Sequence, residues 1–196
     1  MESFVVATAC RLVEYKGLFT FLEAARLSKS NAIFVIAGDG PLRTKIEKYI
    51  SAGDLSEKVK LLGHVCDMDS LYRICDLVVL CSKMEAQPYL ILEAMRANCT
   101  VIASDVAGNR ELLAGGKGLL VKPEPGRVAK AVDYLLSDSQ KRFEIESNAY
   151  KYLSTRHKLK DQVQKLACIY LDKDYAKERT CNIANCRTEK ICSEKH

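Results

Sequence analysis

The stretch Ala32-Ile33-Phe34-Val35-Ile36-Ala37 is apolar at every position. A strand with one face in water alternates polar and apolar residues. A strand apolar on both faces has to be covered on both sides, and such strands belong to parallel sheets wrapped by helices. Other short runs have the same largely apolar character: Phe4 to Ala9, Val59 to Gly63, Asp76 to Cys81, Thr100 to Ala103 and Leu119 to Val121. Segments with helical spacing lie between them. These are residues 18–27, 42–50 (opened by Pro41 and stopped by Gly53), 67–74, 88–95 and a short 110–113. After the sixth strand the pattern is helical throughout, over 126–136, 139–153 and 159–171. Strands and helices alternating at this rhythm predict βαβ units. The fold class is α/β: a doubly wound, mainly parallel sheet flanked by helices, with extra C-terminal helices. There is no internal repeat. The pattern fails near Tyr175, so the expected organisation is one folded domain over residues 1–174. Residues 175–196 are expected to form a disordered, cysteine-containing tail.

Composition narrows the function classes. Hydrophobic residues make up 48% of the 196-residue chain, enough for a sizeable core, and charged residues 28% with both signs mixed. The net charge of +5 is mild and dispersed. It favours an anionic ligand or an acidic membrane surface and argues against nucleic acid. Nine cysteines are present. Their odd number, with Cys75, Cys81 and Cys99 in or beside apolar segments, points to reduced thiols rather than a disulfide framework. The N-terminus lacks the basic flank and long apolar run of a signal peptide, and no apolar run reaches membrane-spanning length. The expected location is the cytoplasm, with the cytosolic face of a membrane as an open possibility through peripheral association.

The chemistry concentrates between the fourth and fifth strands. Ligands of open parallel sheets sit beyond the carboxyl ends of the strands. The loop from Ser82 carries Glu85 at such an end. Pro88 then stands where a first helical residue needs no N–H. The unpaired amides near Tyr89, Leu90, Ile91 and Leu92 suit a phosphate. Glu93, a turn further in, can accept hydrogen bonds from vicinal hydroxyls. Arg11 and Lys16 follow the first strand, where two cations can neutralise a diphosphate in place of a metal ion. An anion site flanked by two carboxylates and two cations suits a sugar joined to a nucleotide through phosphate.

Other motifs read more simply. Gly38-Asp39-Gly40 starts like a dinucleotide fingerprint, but Arg43 occupies the third glycine position, so the stretch is read as a tight turn with backbone near a ligand and NAD binding is not expected. Asp67-Met68-Asp69 imitates a metal-binding acid pair, yet it opens a helix and fits an N-cap, so no metal is assigned. His64 and Glu111 carry little weight as chemistry. Cys181, Cys186 and Cys192 with His196 lack the close pairing of a zinc site.

Taken together, Arg11-Leu12 with Lys16-Gly17, Ala37-Gly38-Asp39-Gly40-Pro41, Ser82 with Glu85 and Glu93-Ala94-Met95, and Ser104-Asp105-Val106-Ala107-Gly108 with Glu111 occur in a characteristic order and spacing. The chain resembles the donor-binding, C-terminal domain of the retaining glycosyl transferases group 1 family, family 4. The resemblance covers roughly residues 4 to 172. It implies one Rossmann-like half of the two-domain GT-B architecture. It further implies that Arg11 and Lys16 bind the donor diphosphate and stabilise the leaving nucleotide. Glu85 would contact the donor sugar and stabilise an oxocarbenium-like centre. Gly38 and the amides of residues 89–92 would line the donor site, and Glu93 would hold the ribose hydroxyls. The donor would be a UDP- or GDP-sugar, transferred with retention and without a metal, the departing phosphate assisting attack from the same face.

The sequence departs from the family pattern at Cys10, Ala86, Asn98 and Thr100, which replace the usual Gly, Gly, Gly and Pro. Ala86 is expected to restrict its loop or crowd the sugar. The family's N-terminal domain, which holds the acceptor glycan or lipid-linked sugar, has no counterpart here, so transfer is expected to need that domain or a partner subunit. A non-catalytic nucleotide-sugar-binding or regulatory subunit is the alternative, and an unrelated flavodoxin-like domain a third reading. The helix over 159–170 carries Leu159, Val163, Leu166, Ala167 and Tyr170 on one stripe, expected to be exposed or used in a dimer.

Overall fold

The computed structural model describes residues 3–155 and Val163. Six strands, β1 (Phe4–Ala9), β2 (Ala32–Ala37), β3 (Val59–Gly63), β4 (Leu77–Leu80), β5 (Thr100–Ser104) and β6 (Leu119–Val121), form one sheet in the order β3-β2-β1-β4-β5-β6. Every pairing is parallel. The helices among the described residues are α1 (Leu18–Leu27), α2 (Arg43–Ala52), α3 (Met68–Arg73), α4 (Tyr89–Arg96), α5 (Ala107–Leu113), α6 (Pro125–Ser137) and α7 (Ser139–Thr155). The expected Rossmann-like, doubly wound α/β class is therefore observed.

The doubly apolar strands are explained by two separate cores. Successive side chains of a strand point to opposite faces. Phe34 and Ile36 pack into a core built by α1, α2 and α6, while Val35 and Ala37 enter a second core built by α3, α4 and α5. Leu77 and Val79 face the first core, and Val78 and Leu80 the second. No strand position in the middle of this sheet faces water, so alternation is absent from the sequence there.

Several local expectations shift. Pro88 is not the first helical residue of α4. It is the N-cap, with extended backbone at ψ 110°, and its carbonyl accepts from the Ile91 N–H at 3.1 Å. Helix α2 begins one residue late, with Leu42 as its N-cap, and ends at Gly53, whose backbone is not left-handed. The left-handed residue is the next one, Asp54, at φ 54°. Helix α5 starts at Ala107, taking in Ala107, Gly108 and Asn109, which read as loop. Asp67 caps α3 as expected, accepting from the Ser70 N–H at 3.0 Å. A compact unit closes at Leu153. The helix expected over 159–171, most of its stripe, and the cysteines and His196 of the 175–196 tail lie outside the described residues. Val163 is exposed.

Candidate active site

The sheet changes its direction of winding between β1 and β4, because β2 and β3 lie on one side of β1 and β5 and β6 beyond β4. The loops leaving these two strands diverge there and open a crevice. Backbone bonds fix the crevice walls. The Lys83 N–H donates to the Tyr15 carbonyl at 2.8 Å, which ties the loop after β4 to the loop after β1. A short 3-10 turn, Glu14–Lys16, ends the latter loop.

Lys16 and Glu85 meet across this crevice. The Lys16 Nζ lies 2.6 Å from Glu85 Oε1, with side chains only 18% and 10% exposed. The Lys16 ammonium also sits 5.2 Å from the centre of the Tyr15 ring. Glu85 is held from behind as well, because its carbonyl accepts from the Gly108 N–H at 3.2 Å. Gly108 is required at that contact: a Cβ there would stand 2.2 Å from the Ala86 carbonyl oxygen. This close approach explains why α5 begins with a glycine in its first turn. Beside it, Asn109 donates through Nδ2 to the Ser104 carbonyl at 2.8 Å, while its Oδ1 has no partner among the described residues.

Next to this pair lies a cleft of about 410 Å³ lined by the ends of β1, β2 and β3 and by α3 and α4. Arg11, Gly38, Leu90 and Glu93 all border it, with Asp39, His64 and Tyr72. Gly38 has φ +130°, and a Cβ there would meet the Cys10 carbonyl at 2.0 Å, so only glycine lets the two backbones run together at the cleft floor. Cys10 links the cleft to the ion pair. Burial pushes its thiol up to about 11, with Lys16 pulling the other way and Glu85 adding a little, so it is a neutral thiol at physiological pH. Asp39 is held below the usual carboxylate range by the Gly40 N–H at 2.7 Å and by Arg43 at 3.0 Å.

Glu93 stands on the exposed face of α4, and its Oε2 accepts from the Tyr72 hydroxyl at 3.2 Å. The other residues of the α4 start are placed less uniformly. Leu90 borders the cleft, Ile91 is fully buried, Leu92 is partly buried and Tyr89 is 73% exposed. The Ile91 amide, expected to be free, is occupied by the Pro88 carbonyl. Glu111 is exposed on α5 and does not border the cleft. Asp67 and Asp69 are engaged structurally, Asp67 in its cap and Asp69 with Arg96 at 2.6 Å and Arg73 at 3.0 Å. Among the described residues no group of three His, Cys, Asp or Glu gathers as metal ligands. Ala86, in place of a family glycine, has an ordinary negative φ and is exposed.

Sequence reasoning missed Tyr72, reading it only as part of the short helix over 67–74. The available signal was a bulky hydroxyl-bearing residue on the buried face of α3, since a buried phenol needs a hydrogen-bond partner.

The comparisons with known proteins bear on this arrangement. The family model described as Glycosyl transferases group 1 matches residues 1–152. The chain is 34% identical to the alpha-D-kanosaminyltransferase of Streptomyces kanamyceticus over 173 residues, covering 85% of this chain and 45% of that protein. The structure of HepE from Anabaena in complex with UDP superposes with a TM-score of 0.81 at 28% identity, over 86% of this chain and 49% of that one. The C-terminal domain of LpcC, a glycosyl transferase group 1 family protein from Francisella tularensis, has a TM-score of 0.71 at 27% identity, over 80% of this chain and 87% of that one. The chain spans 45%, 40% and 38% of the lengths of the first three curated relatives it matches. The family match over nearly all of the described residues, and a fold matching that of GT-B glycosyltransferases, lead to one conclusion: the chain belongs to the glycosyl transferases group 1 family.

Proposed function

We propose that the chain is the donor-binding half of a retaining, metal-independent glycosyltransferase that moves a sugar from a nucleotide diphosphate sugar to an acceptor. The observation that carries this reading is the convergence of Arg11, Gly38 and Glu93 on one cleft beside the Lys16–Glu85 pair, at the switch point of the sheet. The chemistry fits a UDP- or GDP-sugar. Glu93 takes the ribose hydroxyls, Gly38 and the start of α4 (Tyr89, Leu90 and Leu92, with the Ile91 amide already occupied) border the nucleotide and phosphates, and Arg11 and Lys16 neutralise the diphosphate. The Lys16 ammonium has three donors, so it can keep Glu85 while it binds a phosphate oxygen. Two cations at the diphosphate do the work of a divalent ion, and Asp67 and Asp69 are already engaged in a cap and in ion pairs.

Glu85 faces the sugar and stabilises the positive charge that grows at its anomeric carbon as the bond to the phosphate oxygen breaks. The departing phosphate takes the proton of the acceptor hydroxyl, and the new glycosidic bond forms on the face that the phosphate leaves. The products are the glycosylated acceptor and the protonated nucleoside diphosphate. A further domain or a partner subunit holds the acceptor, a glycan or a lipid-linked sugar, against the donor, so this chain alone transfers weakly or not at all. No helix among the described residues is long and apolar enough to cross a membrane. We assign the protein to the cytoplasm, with peripheral contact at the cytosolic face of a membrane. We assign residues 1–174 to the donor-binding domain and 175–196 to a cysteine-containing tail.

Calorimetric titration with UDP, GDP and their common sugar conjugates tests this. One nucleotide binds, and Glu93→Ala and Lys16→Ala both weaken it. A folded chain that binds none of them sinks the reading. Binding without transfer when an acceptor-binding half is supplied selects the non-catalytic subunit instead.

A further inference from the structure

We infer that Tyr72 is a positioning residue for the nucleotide ribose, acting through Glu93. The inference rests on the reading that the cleft takes a nucleotide diphosphate sugar. Tyr72 lies on α3, is 2% exposed, and packs in the core formed with α4. Its ring is therefore fixed, and its hydroxyl reaches out of the core to the Glu93 Oε2 at 3.2 Å, at a point where both residues border the cleft.

Glu93 needs such a partner. Its side chain leaves an exposed position on α4 and has several rotatable bonds, so an unsupported carboxylate would lose rotamer freedom on meeting a ligand. A hydrogen bond from a rigid phenol fixes the carboxylate before the ligand arrives. A carboxylate offers about four lone-pair sites. Tyr72 uses one on Oε2, and Oε1 with the remaining sites stays available for a pair of adjacent hydroxyls. The phenol keeps its proton as a donor at all physiological pH, because burial, with the Glu93 charge adding to it, holds its acidity far below the ordinary level.

The test compares UDP and GDP with their dideoxyribose analogues, by calorimetry, on the wild-type chain, Tyr72→Phe and Glu93→Gln. Wild type prefers the ribose form. Tyr72→Phe lowers that preference by about three- to tenfold, the range of one ordinary net hydrogen bond, because the phenol acts on the ribose only through the carboxylate, and leaves affinity for the dideoxy form unchanged. In the Glu93→Gln background the same substitution has no further effect on the preference. An equal loss for both sugar forms, or no loss, assigns Tyr72 to packing alone and overturns the inference. Absence of any nucleotide binding by wild type overturns the donor-site reading itself, and the role of Tyr72 with it. Should Tyr72→Phe not fold, the tyrosine ring resonances of the wild-type chain give the same information. The Tyr72 signals shift with the ribose form and not with the dideoxy form, and equal shifts count against the inference.

Discussion

The ammonium of Lys16 stands 2.6 Å from the Glu85 Oε1 and so joins the loops that leave β1 and β4, the two strands between which the sheet reverses its winding. Removing one partner of a fully buried pair costs about 3–5 kcal/mol, because the other charge is left unpaired. Some water reaches both side chains here, so Lys16→Met and Glu85→Gln are each expected to cost about 2 kcal/mol. The double variant is expected to cost about the same as either single one, rather than the sum. Urea unfolding at equal m-values measures the cycle. Strictly additive losses would mean that the contact contributes nothing to the fold.

Asp133 supplies a pH-dependent clamp on the turn between α1 and β2. Its carboxylate accepts from the Ser28 hydroxyl at 2.6 Å, the Lys29 N–H at 3.1 Å and the Ser30 N–H at 3.2 Å, and so ties the end of α1 to α6. Burial works to raise its pKa, but these hydrogen bonds outweigh it and hold the group below the usual carboxylate range. The folded value is then lower than the unfolded one. The stabilisation is complete above the unfolded value of about 3.9 and is lost as pH falls through the folded value. Asp133→Asn should cost about 1 kcal/mol at neutral pH, after allowing for partial exposure. The gap in melting temperature between it and wild type should close as the pH drops below about 4. A gap independent of pH would rule out the ionised carboxylate as its source.

Much of this organisation is legible in the sequence, for physical reasons that also mark its limits. The run Ala32–Ala37 announces a strand covered on both faces, and the two cores that receive Phe34 and Val35 are the reason it is apolar throughout. The start of α5 is not legible, because Gly108 resembles a loop glycine. Its contact with the Glu85–Ala86 backbone comes from a distant segment that local propensity cannot show. The same holds inside the site. Residue types and spacing bring out Arg11, Lys16, Glu85 and Glu93 one by one. The salt bridge between Lys16 and Glu85, 69 residues apart, and the Tyr72 hydroxyl under Glu93 are products of packing.

The replacement of a family glycine by Asn98 has a local explanation and a local test. Helix α4 ends in a Schellman motif: the Cys99 N–H donates to the Ala94 carbonyl at 2.9 Å and the Asn98 N–H to the Met95 carbonyl at 3.2 Å. That geometry needs a left-handed residue after the C-cap, and Asn98 takes it at φ 55°. Asparagine tolerates this region better than other residues with a Cβ. Asn98→Ala should therefore lower stability by about 1 kcal/mol, while Asn98→Gly should be neutral or better by a few tenths. Thermal unfolding of the three chains checks the ranking. An alanine variant as stable as wild type would show that the turn imposes no such constraint.

Arg11 separates binding from folding. It is exposed at the border of the cleft, and among the described residues no carboxylate pairs with it. Lys16 behaves differently, being mostly buried and already holding Glu85. Arg11→Ala should leave stability within about 0.5 kcal/mol of wild type, since no packed or paired group is lost. Its effect should fall on the nucleotide. A charge-assisted contact to a diphosphate contributes about 1.5–3 kcal/mol, so affinity for the bound nucleoside diphosphate should drop about ten- to a hundredfold. The salt dependence of binding should shrink as well, because an exposed cation acts through a screened field. Titrations at low and high salt on both chains measure the two effects together. If affinity and salt slope both stay at wild-type values, the diphosphate does not lie at Arg11, and Arg11 is an ordinary surface cation.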